Sequence, residues 1–420
     1  MTKVKNLIIG AGISGLTLAN YIDDYIIIEK DNEVGGYCKT HYVDDFIWDY
    51  AGHFFHFQTD EFKRKFINDL NADEYISKDK KTYIYYDEKL IDYPFQMNIH
   101  QLSKEKFIDC LYDLYNKKEK EKYNNFLDML YGKFGKSITE MFLKPYNEKL
   151  YACDLTNLDT DAMGRFFPYA DLKEIINNMK KEKDHSYNSK FLYPKKGAMA
   201  IINVLMENID QKKIRLNSQV TQINPLNKIA ILNNGETIEY ENLINTIPFN
   251  QFLKTFNDPN YNKLSEQLTY NKVLVFNLGF NKKSKYNKEH WIYFPGKENF
   301  YRIGFYDNIL NKDKLSIYVE IGYAKDKVIN EKEISLQLKQ TLSNLKKIGI
   351  INETFKLLNH EHIVMNPAYV HINTKTDSEV KNVMKTMSEQ KIYNIGRYGR
   401  WTYCSMEDCM IMAKELSQKL

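Results

Sequence analysis

Hydrophobic patterning divides the chain into a split α/β frame and two regions set between its parts. VKNLIIGAGISGLTLANYI (residues 4–22) reads as a buried strand, a glycine turn and a helix, and YIIIEK (25–30) reads as a second buried strand. Far along the chain, residues 214–248 alternate β-branched and polar positions around the turn Asn233-Asn234-Gly235, as successive strands do. KIYNIGRYG (391–399) reads as a strand entering a glycine loop, and MEDCMIMAKEL (406–416) as a closing helix. Residues 102–183 carry helical periodicity with heavy Lys, Glu and Asp use, which predicts an amphipathic helical subdomain. Strand-like runs punctuated by Gly or Asp fill residues 272–323 and predict a mixed sheet in a second layer.

The glycine turn is chemically specific. Gly10-Ala11-Gly12-Ile13-Ser14-Gly15 matches G-x-G-x-x-G, follows a strand and opens a helix. Its glycines permit a tight turn, a close approach to a pyrophosphate and helix–strand packing. The phosphates would sit where free N–H groups and the helix dipole favour anions. Glu29 ends the second strand, where a carboxylate accepts hydrogen bonds from a ribose, and Lys30 follows it. Gly35-Gly36 adds a second close-approach point before a basic residue.

Composition narrows the class. The 420 residues allow two or three domains or one interleaved pair. A net charge of +4, with scattered basic residues, argues against nucleic-acid binding. The N-terminus runs straight into a strand-like segment, so no signal peptide is expected, and no apolar run is long enough for a membrane span. Five cysteines with wide spacing and no C-x-x-C read as reduced thiols in a cytoplasmic protein. Only six arginines stand against a large excess of lysine, so arginine is expected to favour places where a planar, permanently charged fork is needed.

DYAGHFFHF (49–57) sets His53 and His56 three apart among aromatics. A metal, a base or packing would each account for the pair. No carboxylate or cysteine cluster with ligand spacing accompanies it, and no hydrolytic partner motif occurs.

The glycine motif, the acid and the diglycine together resemble the FAD proteins that include amine oxidases, protoporphyrinogen oxidase and UDP-galactopyranose mutase. Residues 214–248 resemble later FAD-domain strands of that class, with Val220 at the adenine. Further segments resemble the mutase family. GHFFHF resembles its flavin-side Gly-Pro-His-x-Phe-His, with Ala51-Gly52 in place of Gly-Pro. KPYNEKLY (144–151) resembles Tyr-Thr-x-Lys-Gln-Trp, which places Tyr146 on the base and Tyr151 in the site. NFYRIGFYD (299–307) resembles the strand whose arginine grips the diphosphate, here Arg302. NIGRYGRWTYCSME (394–407) resembles the C-terminal flavin segment. It puts Gly396, Arg397 and Met406 at the flavin and Tyr403 at the diphosphate. Ser405 and Glu407 stand where that segment has two aspartates. NPAYVHINTKTD (366–377) adds Tyr369 at the diphosphate, and RFFPY and SKFLYPKKGAMAII add a loop arginine, Arg165, and Tyr193.

The resemblance implies an α/β fold with a Rossmann-like FAD-binding domain of the glutathione-reductase type. That domain would be discontinuous, over 1–60, 190–250 and 388–420. The inserted helical subdomain would span 102–185, and 61–101 with 251–387 would form a mixed-sheet substrate domain. The implied activity is FAD-dependent interconversion of pyranose and furanose nucleotide sugars for surface polysaccharide synthesis. Flavin reduced by NADH or NADPH would act through N5 at the anomeric carbon. His53, His56, Arg302 and Arg397 would be the catalytic set, with a homodimer as the expected assembly. The alternative is an FAD oxidase of the amine-oxidase or protoporphyrinogen-oxidase type, which needs neither Tyr146 nor Arg302.

Overall fold

The computed structural model describes residues 1–70, 74–180 and 190–420. The tail of the expected helical subdomain, 181–185, and residues 71–73 of the expected sheet segment lie outside the described residues.

The first sheet is built on Thr2–Ile9, which runs parallel to Tyr25–Ile28 on one side and Thr237–Asn245 on the other. Ile214–Arg215 extends it beyond Tyr25–Ile28, and Ile392–Asn394 joins Thr237–Asn245 in parallel. An antiparallel hairpin, Val220–Asn224 with Ile229–Leu232, continues from the other edge. Leu7, Ile8, Ile27, Leu243 and Ile244 are fully buried. A parallel sheet covered on both faces requires such unbroken apolar runs.

Helices Ile13–Ala19, Met199–Met206 and Met406–Ser417 cover one face through Leu16, Ile202 and Met410. The other face receives Phe249–Leu253, Pro259–Gln267 and Thr374–Glu389. By number these three fall at or within the stretch 251–387. Their apolar faces nevertheless set Phe252, Leu264 and Val380 against Leu7 and Leu243 of the nucleotide sheet, not beneath the second sheet.

The second sheet runs in the order Leu357–Met365, Asn271–Phe280, Ser316–Ala324, Arg302–Phe305, Trp291–Tyr293, Thr82–Tyr86, Lys89–Asp92. Its pairs are antiparallel except Trp291–Tyr293 with Thr82–Tyr86, so the sheet is mixed. Side chains alternate along each strand. Leu274, Phe276 and Leu278 face a core shared with Leu345 of the helix Glu331–Lys347, while Val273 and Val275 face the helical subdomain.

That subdomain comprises Lys104–Asn116, Phe126–Ile138 and Lys144–Tyr151. Gly135 interrupts the middle helix at φ +73°. A side chain there would be strained and would meet the Asp113 carbonyl oxygen at 2.8 Å. Lys149 fastens the last helix to the sheet, donating from Nζ to the carbonyls of Phe294, Gly296 and Phe300 at 2.8–2.9 Å. Burial lowers its pKa to about 8, against the opposing pull of Glu298. The clamp fixes helix residues Tyr146 and Tyr151 relative to the loop that leads into Arg302.

Candidate active site

The glycine turn and the diglycine meet. Gly10 N–H donates to the Ile28 carbonyl at 2.8 Å, and Gly35 N–H donates to the Ala11 carbonyl at 2.9 Å. Glu29 is buried; its Oε2 accepts the Ala11 N–H at 2.8 Å and its Oε1 the Asp31 N–H at 2.9 Å. Each carboxylate oxygen keeps a lone pair for a further donor. A Cβ on Gly15 would lie 2.1 Å from the Gly10 carbonyl oxygen, so close packing demands glycine there. A Cβ on Gly12 would meet nothing within 4 Å, and one on Gly36 would meet only the Gly12 Cα. Gly12 and Gly36 thus border open space at the start of Ile13–Ala19. Gly396 abuts the Ser14 side chain, and Met406, the first residue of its helix, touches Cys38. Val220 is buried at the head of its hairpin, and Lys30 is exposed beside Glu29.

Between the two sheets lies a cation among tyrosines. The Arg397 guanidinium sits 4.5 Å from the Tyr403 ring centre and 5.2 Å from that of Tyr369. Those two rings stack at 5.9 Å. Arg397 Nη1 donates to the Cys404 carbonyl, and Nε is buried without a partner. Among the described residues no carboxylate pairs with it. Tyr369 is pushed up to about 12, chiefly by burial, and stays protonated as a donor.

Arg302 lies in the same cluster in a different state. Strand register sets it opposite Glu320. Its Nε and Nη2 donate to the two Glu320 oxygens, the latter at 2.7 Å, and its plane lies 4.8 Å from the Trp291 ring centre. The sequence reading of Arg302 as an open phosphate grip is therefore amended. One edge of the fork is already paired with Glu320, and the guanidinium also donates to the Tyr293 hydroxyl.

Tyr146 stacks on Phe142 and tilts against Tyr293 at 5.0 Å. Tyr151 is fully buried against Tyr369 and His371, and its hydroxyl has no partner. Tyr193 is also fully buried, but its hydroxyl donates to Asp49 Oδ2 at 2.8 Å. Asp49 further accepts from Thr40 and the Ala198 N–H, so Tyr193 belongs to a closed internal network. Arg165 is half-exposed and holds both Asp408 oxygens at 2.8 Å and Gln58 Oε1 at 2.7 Å.

The two histidines of DYAGHFFHF diverge. Burial, reinforced by Arg302 and Arg397, lowers His53 to about 4, so it stands neutral inside the cluster. His56 Nδ1 lies 2.8 Å from the Lys190 carbonyl, beside the bridge between Phe55 and Leu192. Burial and Lys80 lower it likewise to about 4. A Cβ on Gly52 would lie 1.9 Å from the Tyr318 hydroxyl, so close packing demands glycine there.

Ser405 caps Met406–Ser417, its Oγ accepting the Asp408 N–H in a capping box. Aspartate fills that position equally well, so a serine there preserves the cap while removing a carboxylate. Glu407 is buried and accepts from the Gln58 N–H, the Thr59 N–H and the Thr59 hydroxyl. Among the described residues no cluster of three His, Cys, Asp or Glu side chains could hold a metal, and no helix is long and apolar enough to cross a membrane.

Buried neutral histidines make an acid-stability prediction. His53, His56 and His371 are lowered to about 4 and His290 to about 3, chiefly by burial. Between pH 6.5 and 4 these groups take up protons only on unfolding, so stability falls as pH falls. Asp49 and Asp307 are raised by burial to about 6 and about 7 and act oppositely. Four groups outweigh two. The expected slope approaches ~3 kcal/mol per pH unit at most, or about 1.4 per net proton. Denaturant unfolding across this window checks it; stability that is flat or rises toward pH 4 contradicts it.

The sequence profile of the family described as "Flavin containing amine oxidoreductase" matches residues 13–362. The fold is similar to that in a crystal structure of reduced UDP-galactopyranose mutase, with a TM-score of 0.92, 22% identity and coverage of 99% of this chain and 95% of that one. A CLA-producing fatty acid isomerase from P. acnes matches with a TM-score of 0.67 and 13% identity, over 99% of this chain and 98% of that one. With a family profile matched over most of its length, the chain belongs to the flavin containing amine oxidoreductases.

Proposed function

We propose that the protein is an FAD-dependent mutase interconverting the pyranose and furanose forms of a nucleotide diphosphate sugar, with UDP-galactopyranose as the type substrate. The observation that carries this reading is the buried Arg397 cation beside Tyr369 and Tyr403, which among the described residues has no carboxylate partner. A diphosphate would supply the missing countercharge and accept both tyrosine hydroxyls. Arg302 would add the guanidinium donors that Glu320 and Tyr293 leave over. Tyr146 would meet the base, Tyr151 would support Tyr369 from within the core, and Arg165 would reach the phosphates by exchanging Asp408 for them.

The residues present fit FAD. The open space at Gly12 and Gly36 suits a pyrophosphate, and Glu29 retains acceptor capacity for a ribose. Reduced FAD, when bound, supplies a nucleophilic ring nitrogen for the anomeric carbon. The chain's own part is orientation and charge. Arg397 and the tyrosines stabilise the leaving diphosphate. Neutral His53 presents a hydrogen-bonding edge without adding positive charge beside two arginines. NADH or NADPH is the proposed reductant.

Two glycine variants separate cofactor binding from folding. Gly12→Ala is expected to leave the thermal midpoint of the apoprotein unchanged and weaken FAD binding at least ~10-fold. Gly15→Ala is expected to lower the apoprotein's stability directly. Flavin retention and apoprotein melting measure both, and tight FAD binding by Gly12→Ala would remove the turn from the site.

The activity itself is tested with dithionite-reduced protein and UDP-galactopyranose or UDP-galactofuranose, followed chromatographically. Interconversion supports the mutase. Inertness on a panel of nucleotide sugars, with oxygen consumption on an amine, would establish an oxidase instead.

A further inference from the structure

We propose that Cys404 and Cys409 form a redox-active dithiol, a modification site that closes to an intrachain disulfide in the presence of hydrogen peroxide. Their sulfurs lie 3.7 Å apart. The pairing has a local cause. Ser405 is the N-cap of Met406–Ser417, so Cys404 and Cys409 occupy the positions before the cap and one turn into the helix. Those are the two positions whose side chains pack together in a hydrophobic staple. Here both staple residues are thiols.

The surroundings favour reaction over inert packing. Cys409 lies in the first turn of its helix, close to the Arg397 guanidinium. Cationic neighbours and helix N-termini stabilise thiolates. The two thiols share a hydrogen bond in which either sulfur can donate. That bond is the largest influence lowering the Cys409 pKa; burial opposes, and the Arg397 N–H and Ser14 hydroxyl assist. By contrast, burial raises Cys38, Cys110 and Cys153 to about 12. Cys404 and Cys409 are 8% and 5% exposed, which suits an oxidant as small as peroxide.

The chemistry balances. Cys409 thiolate attacks one oxygen of hydrogen peroxide, the O–O bond breaks, and hydroxide leaves to give a sulfenic acid. Cys404 sulfur then attacks Cys409 sulfur, the S–O bond breaks, and the Cys404 proton leaves with the hydroxide as water. Two electrons pass from the thiols to peroxide. Reduced flavin in air generates hydrogen peroxide, so a flavoprotein forms this oxidant beside its own dithiol. The pair touches Ser14 and the Arg397 segment, so it lies against the cradle described above.

Trypsin cleavage after Arg400 and Lys414 leaves both cysteines in one peptide, residues 401–414. Holoprotein is treated with peroxide, unfolded, alkylated and digested. The expected result is a 401–414 peptide lighter by about 2 Da, refractory to alkylation until dithiothreitol is added, formed before Cys38, Cys110 or Cys153 is modified. Cys404→Ser is expected to abolish the lighter peptide and carry Cys409 on to sulfinic acid. A wild-type peptide alkylated at both positions after the other cysteines have reacted would overturn the proposal. So would sulfinic acid at Cys409 in the wild type without a disulfide.

Discussion

Arg302→Met is expected to lower the unfolding free energy by about 3–5 kcal/mol, the usual cost of removing one partner of a buried ion pair. The Glu320 side chain is 2% exposed and that of Arg302 12%, and two hydrogen bonds join them across adjacent strands. Methionine fills the volume over Trp291 but leaves Glu320 as an uncompensated buried anion. Adding Glu320→Leu to Arg302→Met is expected to restore most of the stability, because a buried ion pair replaced entirely by apolar groups is often neutral or better. Denaturant unfolding of the single and double variants decides this. A single variant within ~1 kcal/mol of wild type would mean that the pair is solvated and contributes as little as a surface bridge.

This pair marks a boundary of what the sequence discloses. The glycine turn, Glu29 and Gly35-Gly36 are legible because their spacing along the chain is their spacing in space: strand, turn and helix are local. The mixed sheet is legible from strand-like runs, yet its register is not. Arg302 and Glu320 are ordinary strand residues until the antiparallel pairing sets them opposite one another. Lys149 reads as one lysine among many, and only the folded loop 294–300 supplies its three carbonyls. The helix Thr374–Glu389 shows an amphipathic face, but the face does not state which sheet it will cover. Tyr193 illustrates the same limit in a side chain, since its hydroxyl is taken by Asp49, 144 residues away. The arginine scarcity was informative in a coarser way. It marks all six alike, Arg302 and Arg397 among them, and the electrostatic situations of those two differ.

That difference sets the second expectation. Arg397→Met should reduce kcat/KM for nucleotide-sugar turnover by about 10²–10³ while leaving the apoprotein as stable as wild type or more so. Arg397 has a carbonyl and three tyrosine rings for company, but among the described residues no carboxylate. Taking a cation out of water without a counterion costs several kcal/mol. A carbonyl hydrogen bond and cation–π contacts return about 1–3 kcal/mol of that. The free protein thus holds this charge at a net cost, which a bound diphosphate would offset. Removing it relieves the strain of the empty state and removes the attraction in the occupied one; truncating a buried charged contact in a complex costs about 2–5 kcal/mol. Arg397→Lys keeps the charge but cannot span two phosphate oxygens, so an intermediate loss of about 10-fold is expected. Steady-state kinetics on reduced enzyme, paired with apoprotein melting, reads both halves. If Arg397→Met melts well below wild type, the cation is a structural element with a partner of its own. If it turns over nucleotide sugar within ~10-fold of wild type, the cation–tyrosine cluster is not where the diphosphate sits, and the mutase reading loses the observation on which it rests.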